Sequence, residues 1–296
     1  MAGRSLGQPQ TTVNPAALND PLDPHASRAV SPAAMLGSLW SHRELIAQMT
    51  RREVIGRYRG SVMGLLWSFL NPVFMLAVYT FAFSVAFRAR WPGQGESHVG
   101  FALIVFAGMI VHALFAEVLN RAPTLVLANV NYVKKVVFPL EILAVVGVGA
   151  ALFHALVSLA VLVAAWALVH GELHWTALLA PLVVAPLGVL ALGFGWLLSS
   201  LGVFVRDIGQ LIGLASSALM FLSPVFYPLE ALPAPLRPWL QANPLTFIIG
   251  QVREVLVWGR LPDVAGLGLY LAAACVFAWL CFAWFQKTRK GFADVL

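Results

Sequence analysis

Charge is scarce in this chain. Only 11% of its 296 residues are Asp, Glu, Lys or Arg, against 60% hydrophobic, and the mean hydropathy is +0.82. A soluble domain carries roughly 25% charged residues because water must wet its surface, so a soluble fold is excluded. Cysteine is scarcer still. Cys275 and Cys281 lie six positions apart in one apolar block, a spacing that puts them on different faces of a helix and keeps them from pairing. No Gly-Lys dipeptide occurs, so the phosphate-cradling G-x-x-x-x-G-K-[ST] loop is missing and ATP hydrolysis by that device is excluded. The zinc-binding H-E-x-x-H pattern is absent too.

What is present is long runs of apolar residues. Six blocks, at 62–87, 99–119, 140–169, 175–204, 208–227 and 264–285, each approach or exceed the ~20 residues that cross a bilayer core. The fold class expected is therefore an all-α polytopic membrane protein with six spans. Asn71-Pro72 in the first block predicts a kink, because proline removes a backbone donor. The third block is long enough to be one tilted helix or two pieces meeting near Gly147 and Gly149.

Ionisable residues inside spans mark ion pathways, since burying charge in hydrocarbon is costly. Glu117, Glu141, Arg206 and Asp207 fall at predicted cytoplasmic ends of spans. His112 and His154 lie deeper and read as helix-packing residues. With no carboxylate expected at a span centre, a proton- or sodium-coupled carrier is disfavoured, and uphill transport must draw its energy from elsewhere. His170, Glu172 and His174 cluster between blocks three and four; a metal site needs more ligands, so they read as a polar turn and no metal is expected.

Residues 1–37 are polar and broken by Pro9, Pro15, Pro21, Pro24 and Pro32, without the apolar core of a signal peptide; they are expected to form a disordered cytoplasmic tail. Residues 38–60 are rich in arginine. Their two apolar patches (Leu45, Ile46 and Met49; Val54, Ile55 and Tyr58) are rotated apart on a helix, which predicts a kinked helix at the cytoplasmic membrane surface. Residues 61–296 form the transmembrane domain. With both termini inside, the inner segments hold twelve basic residues, Arg43, Arg51, Arg52, Arg57, Arg59, Arg121, Lys134, Lys135, Arg206, Lys287, Arg289 and Lys290. The outer segments hold five: Arg88, Arg90, Arg237, Arg253 and Arg260. Basic residues accumulate on the cytoplasmic side, so both termini are expected there.

Between blocks five and six, Pro228, Pro233, Pro235, Pro238 and Pro244 punctuate two short helical segments over 228–262. The second starts at Asn243, a capping residue, with Pro244 at the first helical position. Leu245, Ile248, Ile249, Val252, Val255 and Leu256 form an apolar stripe, and Arg253 and Glu254 are expected off it, facing the exit of a path. Too short to span, this region reads as a re-entrant or interfacial hairpin on the outer face. In block five, Gly209, Gly213 and Ser216 or Ser217 recur at helical spacing and admit close approach of another helix, within the subunit or across a dimer. Trp67, Phe74 and Phe81 share one face of block one, while Phe221, Phe226 and Tyr227 end block five. Such aromatics stack on sugar rings or sit against lipid.

The motifs LIAQMTRREVIGRYRGSVMGLLWSFLNP (45–72), VRDIGQL (205–211), SPVFYP (223–228) and NPLTFIIGQVRE (243–254) follow one another in an order that resembles the ABC-2 permeases exporting O-antigen, capsular polysaccharide or teichoic acid. The resemblance runs over residues 38–290. It implies an inner-membrane homodimer of six-span subunits, bound to two copies of a cytoplasmic ATPase that carries the ATP and Mg, with no cofactor and no catalytic residue on this chain. The cargo implied is polyprenol-linked polysaccharide, in contact with membrane lipids and with no nucleic acid involved. Leu39–Arg59 would be the interface helix, with Arg51, Arg52, Arg57 and Arg59 facing the ATPase. Arg121–Lys135 would hold the coupling helix, with Arg121, Lys134 and Lys135 contributing. Blocks one and five, with Trp67, Phe74, Phe81, Phe221, Phe226 and Tyr227, would line the path, and the hairpin with Arg253 would form its outer gate. Two other classes stay in view: a membrane-embedded glycosyltransferase or ligase acting on a polyprenol-linked sugar, and an ABC-2 permease for a drug or a lipid without glycan.

Overall fold

The computed structural model describes residues 30–86, 98–134 and 138–296. Most of the tail (1–29), the first outer loop with Arg88 and Arg90, and Lys135 lie outside the described residues. The chain is helical throughout, with no strand among the described residues.

Two helices precede the spans: α1 (Pro32–Ser41), which takes in residues assigned above to the tail, and α2 (Arg43–Arg57). Ser31 caps α1 by accepting from the Ala34 N–H, and Pro32 follows at the first helical position. The two helices break at His42, whose φ of −101° and ψ of 13° leave the helical region. That break lies before both apolar patches, which share the unbroken α2 as far as Arg57, so the kink expected between them is not there. A glycine turn then leads into α3 (Trp67–Thr80), which contains Pro72 and ends in a π-helical turn, Phe81–Ala86.

After the first outer loop come α4 (His98–Leu125), α5 (Val130–Lys134), α6 (Ile142–His170) and α7 (Ala180–Phe204). The long third block is a single helix. α6 runs 29 residues and ends where Gly171 turns to φ 72°, a left-handed conformation that glycine adopts without penalty. At 1.5 Å per residue α6 is ~43 Å long, so it must tilt in, or project beyond, a ~30 Å hydrocarbon core. Next are α8 (Ile208–Leu222), α9 (Arg237–Gln241), α10 (Pro244–Leu256), α11 (Val264–Thr288) and α12 (Phe292–Val295).

Among the described residues, five helical segments are long and apolar enough to cross a membrane: Gly64–Phe83, Val99–Leu125, Ile142–His170, Trp175–Phe204 and Val264–Val295. Predicted block five differs. α8 stops at Leu222, and its 15 residues reach only ~22 Å. Pro224 supplies the reason, since the residue before a proline is pushed out of helical geometry; Ser223 sits at ψ 150°.

The spans pack unequally. In α4, 78% of the most apolar stretch is buried within the chain, against 6% in the first segment. A core of Ile104, Leu114, Val148, Leu162, Val183 and Leu187 joins α4, α6 and α7, and α10 is built into it through Leu245, Ile248, Ile249 and Val252. A second cluster, against which Leu39, Leu45 and Ile46 pack, holds Trp196, Phe282, Phe285 and Phe292. Close helix approach requires Gly202, because a Cβ there would collide with the Pro123 carbonyl. The bare surfaces belong to α3 (Trp67, Phe69, Phe74, Met75, Val78) with the adjoining Phe81, and to α8 (Leu211, Leu214, Phe221, Leu222).

Candidate functional site

At the end of the spans nearest the N-terminal helices, α2 lies across α6 with Thr50 against Gly149, where a Cβ would stand 2.9 Å from Thr50 Cγ2. Between α2, the ends of α4 and α6, and the segment around α5 opens a cleft of about 910 Å³. Its walls include Arg51, Arg52, Arg57, Arg59 and Arg121 and a single carboxylate, Glu53. The predicted basic residues thus converge, with one division among them. Arg51, Arg52 and Arg59 are exposed. Arg57 and Arg121 also pair inward: Arg121 with Glu53 and with Glu117 (3.9 Å), and Arg57 Nη1 with Glu117 Oε1 at 2.8 Å. Lys134 is exposed on α5, within the stretch where the resemblance puts the coupling helix.

Two expectations about the spans need correction. α4 continues past Leu119 to Leu125, because Ala122 and Val126 are still buried against the core. Glu117 therefore sits two turns inside the helix rather than at its end. His154 is not a plain packing residue either, since its Nδ1 lies 3.1 Å from Glu117 Oε2 and 2.8 Å from Arg57 Nη1. That nitrogen can donate to the carboxylate or accept from the guanidinium, one at a time. A charge cluster at these depths was missed because its members come from three helices and each looks isolated in sequence. His112 does serve packing, its Nε2 lying 3.1 Å from the Ser216 carbonyl on α8. Asn120 donates to Ser216 Oγ at 3.3 Å, so the Ser216 side of the small-residue stripe faces α4 within the subunit.

Glu141 is fully buried, accepting from Ser38 Oγ at 2.9 Å and from Arg289 Nη1 at 3.3 Å. The backbone carbonyl of Glu141 accepts from Trp196 Nε1 at 2.8 Å. Through its carboxylate Glu141 ties α1 and the residue after α11 to the start of α6, and through its backbone carbonyl it ties α7.

At the outer end, Asn243 Oδ1 accepts from the Leu245 N–H at 2.9 Å and Pro244 opens α10, as the residues predict. The apolar stripe of α10 packs on α4 and α7, with Thr176 Oγ1 donating to the Val255 carbonyl at 2.7 Å. Arg253 departs from expectation. It is buried, 6% exposed, and donates to the carbonyls of Pro224 (2.7 Å), Val225 (2.8 Å) and Ile104 (3.3 Å). The physical reason is its angle: at ~100° per residue it stands only ~40° from Ile249, at the margin of the stripe and not on the polar face. Burial lowers the guanidinium to about 9, against the opposing effect of Glu230, so it stays charged at neutral pH. Beside it opens a cavity of about 590 Å³ lined by Glu230, Glu254 and Trp258 among others.

The predicted path aromatics divide. Trp67, Phe74 and Phe81 are exposed along the first segment, and Phe221 is exposed on α8. Phe226 bridges Phe221 and Phe83, at 5.9 and 6.1 Å between ring centroids, and Tyr227 donates to the Phe221 carbonyl at 2.8 Å. The histidines between blocks three and four do not converge. His170 stacks on Trp166 and His174 abuts Gly259, and no group able to hold a metal ion occurs among the described residues.

Glu117 and His154 line a cavity of about 250 Å³ but are tied to each other and to Arg57. With its arginine-rich cleft, bare aromatic helices and clamped hairpin, the arrangement has the parts of a conduit. Residues 44–257 match the family model of the ABC-2 type transporter. The chain belongs to that family. Three relatives are O-antigen export system permease proteins, each named RfbA. The one from Myxococcus xanthus is 26% identical over 263 residues, covering 88% of this chain and 98% of the relative. Two from Klebsiella pneumoniae are 24% and 23% identical, covering 86% of this chain and 95% of each relative. This ABC-2 protein is accordingly a multi-pass membrane permease.

Proposed function

We propose that the chain is the membrane subunit of an exporter that moves polyprenol-linked polysaccharide of the O-antigen or capsule kind across the inner membrane, powered by a separate ATPase. The observation that carries this reading is the family match over most of the chain, joined to near full-length similarity to O-antigen export permeases. The basic cleft supports an ATPase partner: Arg51 and Arg52 on α2 and Arg59 just after it line the cleft, and Lys134 is exposed on α5, on the side that the basic asymmetry favours as cytoplasmic. Two copies of that partner, carrying ATP and Mg, would serve two copies of this chain. The bare apolar faces of α3 and α8 favour a homodimer closing around the path, with Trp67, Phe74, Phe81 and Phe221 on its walls. α8 would then complete a sixth crossing with the residues that follow it.

Deletion of the chain should abolish surface polysaccharide, and the tagged protein should co-purify with a P-loop ATPase while hydrolysing no ATP alone. Loss of a drug or a simple lipid from the outer leaflet, with the glycan intact, would transfer the reading to another cargo.

A further inference from the structure

Two helices face each other with alternating charge. α2 presents Glu53 and Arg57, one turn apart; α4 presents Glu117 and Arg121, also one turn apart. They meet head to tail, Glu53 with Arg121 and Arg57 with Glu117, the second pair at 2.8 Å. His154 on α6 closes the group at 3.1 Å from the free side of the Glu117 carboxylate. Glu117 and His154 are largely buried, at 16% and 15% side-chain exposure, while Arg121, Glu53 and Arg57 are at 34%, 40% and 42%. The cluster therefore grades from the membrane interior out to the cytoplasmic cleft.

The order of charges fixes a register. Sliding α2 by one turn, ~6 Å at 1.5 Å per residue, in one direction sets Arg57 against Arg121. Sliding it in the other direction sets Glu53 against Glu117. Both alternatives oppose like charges in a partly dry setting, where repulsion is screened far less than in water. Pivoting is opposed as well, because Thr50 sits against Gly149 of α6 one turn before Glu53. A helix that only lay on the membrane surface would need none of this; exposed ion pairs contribute little to stability.

We infer that Glu53, Arg57, Glu117, Arg121 and His154 are positioning residues that lock α2 to α4 and α6 in one register, so that displacement of α2 is delivered to the spans without slip. This rests on the reading of α2 as the element an ATPase pushes. It gives the arginines of α2 two separate duties: Arg51, Arg52 and Arg59 meet the partner, and Arg57 turns inward to transmit.

The test is charge exchange in the full transporter complex. Glu53→Arg alone and Arg121→Glu alone should each lower glycan export at least about tenfold, the size of effect expected when one side of a partly buried pair is reversed. The complex should still assemble and hydrolyse ATP, so that ATP used per glycan exported rises. Combining Glu53→Arg with Arg121→Glu should restore most of the export. Normal export by both single variants would overturn the inference, as would a combined variant no better than the worse single one at equal membrane level.

Should the reversals fail to reach the membrane, a second experiment decides. Glu53→Cys and Arg121→Cys, with Cys275→Ala and Cys281→Ala, allow the two positions to be joined by a short thiol-reactive crosslinker. Export that survives crosslinking supports a fixed register, and export lost while ATP hydrolysis continues shows that α2 must slide. Failure of the exporter reading itself looks different: the unmutated chain would capture no ATPase, and its deletion would leave surface glycan unchanged.

Discussion

Arg253, on the hairpin between α8 and α11, is almost fully buried and donates to three backbone carbonyls, whereas Arg51 and Arg52, on α2, and Arg59, just after it, stand exposed around an open cleft. Both sets follow the same sequence rule, arginine beside an apolar stripe, and they end in opposite environments. The difference is the length of the turn that precedes the fold's closure. At the outer end Pro224 stops α8 early, leaving the Pro224 and Val225 carbonyls without helical partners, and the Arg253 guanidinium supplies the donors. Buried carbonyls need such donors, since an unsatisfied one costs about 1–3 kcal/mol. At the other end the Tyr58 N–H donates to the Ile55 carbonyl at 3.1 Å, so α2 closes without Arg51, Arg52 or Arg59.

The largest effect should come from the buried side. Arg253→Ala leaves two loop carbonyls unsatisfied and a void beside α4, which by analogy with other buried polar deletions should cost about 3 kcal/mol. The measurement is the thermal midpoint and the membrane abundance of the detergent-extracted protein. Arg253→Lys should be intermediate, because one ammonium cannot reproduce the geometry of the guanidinium fork. A midpoint unchanged in Arg253→Ala would erase the contrast between the two ends.

Next in size is the exposed side. Arg51→Glu combined with Arg52→Glu should leave abundance untouched and weaken ATPase capture about tenfold, or ~1.4 kcal/mol, as expected for partly screened charges at a docking face. Raising the salt concentration should weaken capture by the unmutated chain in the same direction. Undiminished capture by the double variant would move the docking surface away from α2.

This contrast also marks how far the residues themselves could be read. Most of the apolar blocks and the Asn243-Pro244 start of α10 follow from local chemistry and stand where the residues put them, whereas the helix breaks at His42 and not between the two patches of α2. Arg253 was misplaced because a stripe of six apolar residues draws attention from a long side chain ~40° off its edge, which can insert or snorkel at little angular cost. The Glu53–Arg121 and Arg57–Glu117–His154 contacts were not legible, since they join residues 68, 60 and 37 positions or more apart through side chains alone. Only the i, i+4 spacing of opposite charges on both α2 and α4 hinted at them, and that spacing is common on solvated helices. The end of α8 was overrun because hydropathy continues through Val225 and Phe226, whereas the backbone obeys Pro224.

The smallest effect is expected one residue from the largest. Glu254 follows Arg253 on α10 but points ~100° further around the helix, where its carboxylate lies 3.7 Å from the Arg260 guanidinium. The Arg260 side chain is 74% exposed and that of Glu254 is 33% exposed. An ion pair so open to water is screened and contributes about 0–1 kcal/mol. The local turn does not depend on it, because the Arg260 N–H donates to the Glu254 backbone carbonyl at 2.9 Å whatever the side chain. Glu254→Gln should therefore shift the thermal midpoint by no more than the equivalent of about 1 kcal/mol and leave abundance unchanged. The same variant removes one of the two carboxylates lining the outer cavity with Trp258. If export falls while stability holds, that cavity takes part in glycan passage; if both hold, Glu254 is a solvated charge on the hairpin. A loss of stability matching that of Arg253→Ala would mean that both faces of α10 bear equal weight, and burial would no longer explain why the arginines at the two ends behave differently.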